Sequence, residues 1–207
     1  MALHDVAENA GVTTEDIYEK RPKNGYPWDK PHVDYLHLLG QGLWWNSLTA
    51  YFEQTYLACG AAPAVARGAA VRVREHMLDP EMYREYPGVR DLLDLVRTLG
   101  YQNYILSNNY PELPKVMEGM GLAAYFDGIF TSGAIGYEKP RPEIFHYAKK
   151  AAGDPGLCVM VGDNPIADIE GGRAAGMKTV LIHCKKPSNA DFVLDGFEGL
   201  YEILKLL

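Results

Sequence analysis

From Tyr86 to the C-terminus, short apolar runs of strand composition alternate with single helical segments. No other feature constrains the fold of this chain so strongly. Pro87-Gly88 opens a helix whose Val89, Leu92, Leu93 and Val96 recur at i, i+3, i+4 and i+7 on one face, with Gly100 as its stop. The strand-like runs are YILS (104–107), GIFTS (128–132), LCVMVG (157–162) and KTVLIH (178–183). Between and after them lie helical segments at Pro111 to about Met120, Pro142–Ala152, Pro165 to about Ala175 (stopped by Gly176), and the terminal GLYEILKLL. Apolar strands joined by single helices build a parallel sheet covered on both faces. The expected class is therefore α/β, a doubly wound parallel sheet.

Residues 1–80 read differently. Thr13-Thr14 followed by Glu15-Asp16 is a helix start, and Pro63 opens a run of helical composition. A Pro/Gly/Lys loop spans 20–31. The aromatic group Tyr26, Trp28, Tyr35, Trp44, Trp45, Tyr51, Phe52 and Tyr56 could line a ligand pocket, but core packing is favoured, because the spacing suits a buried helical face. The expected division is a helical subdomain over 1–80 and an α/β core over 81–207.

At 207 residues the chain is long enough for one core and a small satellite. A formal charge of −7 argues against nucleic acid, whose phosphates need clustered Lys and Arg. No run approaches a membrane span, and the acidic N-terminal segment is unlike a secretory signal, so a cytoplasmic location is expected. Cys59, Cys158 and Cys184 are widely spaced and odd in number, which suits neither a disulfide framework nor a zinc site.

In a doubly wound sheet, ligands bind at the carboxyl ends of the strands. There the third strand runs into Gly162-Asp163-Asn164-Pro165, with Asp168 in the first turns of the next helix. Two such carboxylates suit Mg²⁺, which takes oxygen ligands while keeping waters and a substrate phosphate. The same residues also fit an ordinary helix start, with Asp163 or Asn164 as cap and Pro165 at the first position. Ser107-Asn108-Asn109, after the first strand, can hold a phosphate oxygen or simply form a turn. Lys139, held extended by Pro140, can reach the strand tips or stand in solvent.

The order of these pieces resembles that of the haloacid dehalogenase (HAD) superfamily. The resemblance covers residues 86–185 and rests on LSNN (106–109), GYEKPRPEIF (136–145) and VGDNPIADIEGGRAAGM (161–177). It implies a Rossmann-like fold with residues 1–80 as a helical C1-type cap. It also implies roles: Ser107 and Asn108 bind the phosphoryl group, Lys139 neutralises it, and Asp163 and Asp168 hold or orient Mg²⁺. The implied reaction is hydrolysis of a small phosphorylated metabolite through an aspartyl-phosphate.

One family element is absent from the sequence. Members carry an apolar strand ending in D-x-D, whose first aspartate is the nucleophile. Asp5, Asp16, Asp29 and Asp34 form no such motif, and none follows an aliphatic run. In the family that strand sits mid-sheet, between the strands ending here at Ser107 and Gly162. Three outcomes are expected: upstream sequence supplies it, another segment or chain fills the slot, or the two strands close up and pair. The first is favoured, because the other three motifs are intact. An unfilled slot also favours homo-oligomers, and a non-catalytic, phosphate-binding HAD-like protein is the alternative function.

Overall fold

A computed structural model of the chain describes residues 7, 10–23, 25, 30, 32–40 and 42–207. Tyr26, Trp28, Asp5 and Asp29 lie outside the described residues. The first third is helical: α1 (Thr14–Lys20), α2 (Leu43–Ala58) and α3 (Pro63–Leu78). Then follow α4 (Val89–Thr98), β1 (Tyr104–Ser107), α5 (Leu113–Gly119), β2 (Gly128–Thr131), α6 (Ser132–Ile135) and α7 (Pro142–Ala151). The chain continues with β3 (Val159–Gly162), α8 (Pro165–Glu170), α9 (Gly171–Ala174), β4 (Lys178–Ile182), β5 (Phe192–Leu194) and α10 (Leu200–Leu206). No described helix is long and apolar enough to cross a membrane.

All strand pairs are parallel, and helices cover both faces, as the alternation of short strands and helices predicts. Val159 and Val161 of β3 pack with Leu92 and Val96 of α4 and Leu200 and Leu204 of α10. Met160, pointing the other way, packs with Ile144 and Phe145 of α7. Gly171 and Gly172 permit the close approach of this helical stretch. A β-carbon on Gly172 would meet Met160 of β3 at 3.0 Å, while Gly171 lies against Phe145 and Pro140.

The sheet is interrupted at one place. β1 pairs with β2, and β3 with β4 and then β5, but β1 and β3 share no ladder. Both fragments nevertheless lie against the same apolar cluster, since Leu106, Phe130 and Met160 all pack with Ile144 and Phe145. Every residue of β1 and β3 is only partly buried, whereas Thr179–Ile182 of β4 are buried throughout. A parallel strand inside a continuous sheet is covered on all sides; β1 and β3 are edges facing a gap. Among the described residues no strand occupies it, and the two edges have not closed up to pair.

The aromatic group of α2 is interior, as assigned. Trp44, Trp45, Leu48, Tyr51, Phe52 and Tyr56 are at most 6% exposed. They form one cluster with Ala66, Ala69, Ala70 and Val73 of α3 and with Tyr110, Leu113 and Val116 at α5. Ile105 of β1 and Ile129 of β2 pack against its edge.

Candidate active site at the strand tips

The site is built where β1, the loop after α6 and the β3–α8 turn converge. Lys139 lies in that loop and is 8% exposed, so it is not a solvated surface lysine. Its ammonium donates to the Leu106 carbonyl of β1 at 2.7 Å and to Asp168 Oδ1 at 2.6 Å. Asp168 is itself 4% exposed, and its other oxygen accepts from the Asn164 N–H at 3.0 Å. One cation therefore ties the tip of β1 to the turn that follows β3. It spans the mouth of the gap between the two sheet fragments. An ammonium has three protons, and the described residues use two, which leaves one for a ligand.

Local sequence explains how Asp168 reaches this position. Asn164 caps α8, its Oδ1 accepting from the N–H groups of Ile166 at 3.0 Å and Ala167 at 2.9 Å, with Pro165 in the first turn. The ordinary helix-start reading of Asn164-Pro165 is thus realised as well. α8 is wound wide: Ile169 N–H reaches back to the Asn164 carbonyl at 3.3 Å, five residues away. The Asp168 carboxylate folds over Gly162, where any β-carbon would overlap it. Glycine at the end of β3 is a packing requirement of the ion pair.

The remaining expected residues stand around this pair. Ser107 ends β1, half-buried, and among the described residues its hydroxyl has no hydrogen-bond partner. Asn108 follows it, but its carboxamide is turned to Lys139. Oδ1 accepts from the Lys139 N–H at 2.7 Å, and Nδ2 donates to the Lys139 carbonyl at 3.0 Å. For an anion, Asn108 retains its main-chain N–H. Asp163 is exposed, and no described residue bonds its carboxylate. Sequence reasoning did not single out Asn164 as a partner of Asp168, nor the Leu106 carbonyl. The latter is a backbone group, to which no side-chain motif points.

The donor chemistry suits Mg²⁺. Asp163 presents a free carboxylate, and Mg²⁺ commonly takes one or two carboxylates plus waters and a substrate phosphate. No group of three or more His, Cys, Asp or Glu side chains that could cage a metal occurs among the described residues. Both Asp168 oxygens are engaged, by Lys139 and by the Asn164 N–H, so among the described residues the carboxylate left open at this tip is that of Asp163.

A second set of contacts joins the lysine loop to the helical third. Tyr35 N–H donates to the Gly136 carbonyl at 2.7 Å, and Arg141 Nη1 donates to the His32 carbonyl at 2.6 Å. The Arg141–Glu143 hydrogen bond holds the Glu143 carboxyl below its usual range.

A parallel sheet read at its carboxyl ends, with a lysine and carboxylate pair beside a serine tip, is the arrangement expected of the HAD class. The family model for haloacid dehalogenase-like hydrolases matches residues 2–176, and the chain belongs to that family. It is 32% identical over 154 residues to the human haloacid dehalogenase-like hydrolase domain-containing protein 3, covering 73% of this chain and 60% of that protein. It is also 32% identical over 216 residues to a glyceraldehyde 3-phosphate phosphatase of Pyrococcus furiosus, covering 98% of this chain and 89% of the relative. The fold matches the magnesium-bound HAD-hydrolase YfnB of Bacillus subtilis with a TM-score of 0.70 at 22% identity, covering 99% and 89% of the two chains.

Proposed function

We propose that this chain carries the site of a Mg²⁺-assisted phosphatase for a small phosphorylated metabolite, acting in the cytoplasm. Its aspartate nucleophile would arrive on a strand seated between β1 and β3. The observation that carries this reading is the buried Lys139–Asp168 pair, which holds an ammonium at the mouth of that gap. A dianionic phosphoryl group is the ligand such a point cation suits. The phosphatase activity named for the Pyrococcus relative and the magnesium named for the YfnB structure agree with it.

In this reading Ser107 donates its hydroxyl to a phosphoryl oxygen, and Lys139 gives its third proton to another. Asp163 would hold Mg²⁺, which supplies neutralisation of the phosphoryl oxygens when bound. The incoming carboxylate attacks phosphorus, the ester P–O bond breaks, and the leaving oxygen takes a proton from the second aspartate of the incoming D-x-D, which regains one from the attacking water in the next step. Water then adds at phosphorus and releases inorganic phosphate and the free carboxylate. The chain's own residues contribute position and charge, which supply most of the rate in phosphoryl transfer.

The test compares this 207-residue protein with a version preceded by an apolar strand ending in D-x-D-G-T. Both are given inorganic phosphate and an aryl phosphate, with and without Mg²⁺. The expected result is phosphate binding by both and Mg²⁺-dependent turnover only with the added strand. Turnover by the shorter protein would place the nucleophile elsewhere, and loss of phosphate binding in both would end the reading. A second reading is a non-catalytic phosphate binder that uses the same Lys139–Asp168 pair without an incoming strand. That one predicts binding by both proteins and turnover by neither.

A further inference from the structure

Lys139 sits in a stretch with neither helix nor strand to take up its own peptide groups, and the following Pro140 has no N–H to offer. At 8% exposure, little water reaches the residue. Its N–H and carbonyl need protein partners, since buried peptide groups are nearly always paired. Both partners come from a single side chain. Asn108 Oδ1 accepts from the Lys139 N–H at 2.7 Å, and Asn108 Nδ2 donates to the Lys139 carbonyl at 3.0 Å.

We propose that Asn108 is the positioning residue of Lys139. Its carboxamide pairs with the lysine's backbone, so that Ser107 and the Lys139 ammonium are held in one fixed relation at the tip of β1. The inference rests on the reading of Lys139 as the cation that meets the phosphoryl group. A carboxamide carries a donor and an acceptor side by side, which matches one residue's N–H and C=O; a carboxylate lacks the donor and a hydroxyl lacks the span. Because Asn108 directly follows Ser107, the clamp makes the β1 tip and the lysine loop one unit. The ammonium's bonds to Leu106 O and Asp168 fix the far end of the side chain, and Asn108 fixes its root.

The experiment is a double-mutant cycle on tungstate binding, a phosphate mimic that needs no nucleophile, followed by titration calorimetry with Mg²⁺ present. Lys139→Met reports on the underlying reading, and Asn108→Ala on this one. Asn108→Ala is expected to weaken tungstate roughly tenfold, by leaving buried peptide groups unpaired and the lysine loop free to shift. The double variant is expected to bind no more weakly than Lys139→Met alone, because Asn108 acts through the lysine. Wild-type affinity in Lys139→Met would overturn the reading of the site itself. A normal Asn108→Ala beside a weakened Lys139→Met would overturn only the clamp. Losses that add in the double variant would also overturn it, by showing that Asn108 contacts the anion independently. Amide hydrogen exchange on the unmodified protein decides the matter should Asn108→Ala fail to fold. A Lys139 N–H protected well beyond its loop neighbours supports the clamp, and one exchanging as fast as exposed loop amides removes it.

Discussion

Asp163 and Asp168 belong to one turn and carry the same carboxylate, yet the fold puts them in opposite surroundings. Asp163 stands in solvent, while Asp168 is 4% exposed and paired with Lys139 at 2.6 Å. Their substitutions should separate accordingly. Asp168→Ala strands a buried ammonium and should cost about 3–5 kcal/mol of stability, measured by urea unfolding. Asp163→Asn should stay within about 0.5 kcal/mol of the parent, since it removes an exposed charge that no described residue pairs, yet abolish the Mg²⁺ dependence of phosphate binding. An Asp163→Asn protein that still responds to Mg²⁺ would remove the metal assignment. The sequence placed both carboxylates at the strand tip but could not rank their burial. That depends on Lys139, 29 residues away in the chain.

At the scale of elements, the four longer strands were legible because runs such as YILS and KTVLI declare themselves by composition. β5 was not. Its three residues, Phe192–Leu194, are too few to show a period, and tertiary bonds hold them in place. Asp191, just before β5, accepts from the N–H and hydroxyl of Thr179 on β4, each at 2.9 Å. Those bonds depress the Asp191 pKa below its ordinary 3.8. The stabilisation is therefore complete above the unfolded value and is lost as pH falls through the lower folded one. Hydrogen exchange along β5 should quicken selectively in acid below about pH 4, and an Asp191→Asn variant should lose that dependence. A β5 whose protection ignores both acid and the substitution would refute the anchoring role. α6 went unseen for a similar reason: four residues capped by Thr131 leave no helical period to read. The slight widening of α8 has no signature in composition either.

At the scale of the molecule, the helical third and the sheet share one interior. The cluster runs from Trp44 and Trp45 through Tyr110 to Leu113 and Val116, and Trp45 Nε1 donates to Glu112 at 2.7 Å. At its edge, the hydroxyls of Tyr83 and Tyr110 meet each other and the Met77 carbonyl within 2.7 Å, and burial pushes the Tyr110 hydroxyl pKa up. A core common to both parts predicts one transition. Trp44→Ala should cost about 3–5 kcal/mol and lower the melting of both parts together, as followed by tryptophan fluorescence and far-ultraviolet circular dichroism. Two separated transitions would show that the helical third unfolds by itself.

By itself, the sequence determined the class of fold, the helical character of the first third, and which residue types stand at the carboxyl ends of the strands. These follow from periodicity and composition, which act over a few residues at a time. Tertiary structure alone decided that Lys139 is sunk against Asp168 and Leu106 rather than solvated, that Asn108 faces the lysine, and that β1 and β3 remain apart as two edges. The first two of those outcomes join groups tens of residues distant in the chain, which only the packed fold brings within hydrogen-bond reach, and the third depends on which strands the packed fold sets side by side.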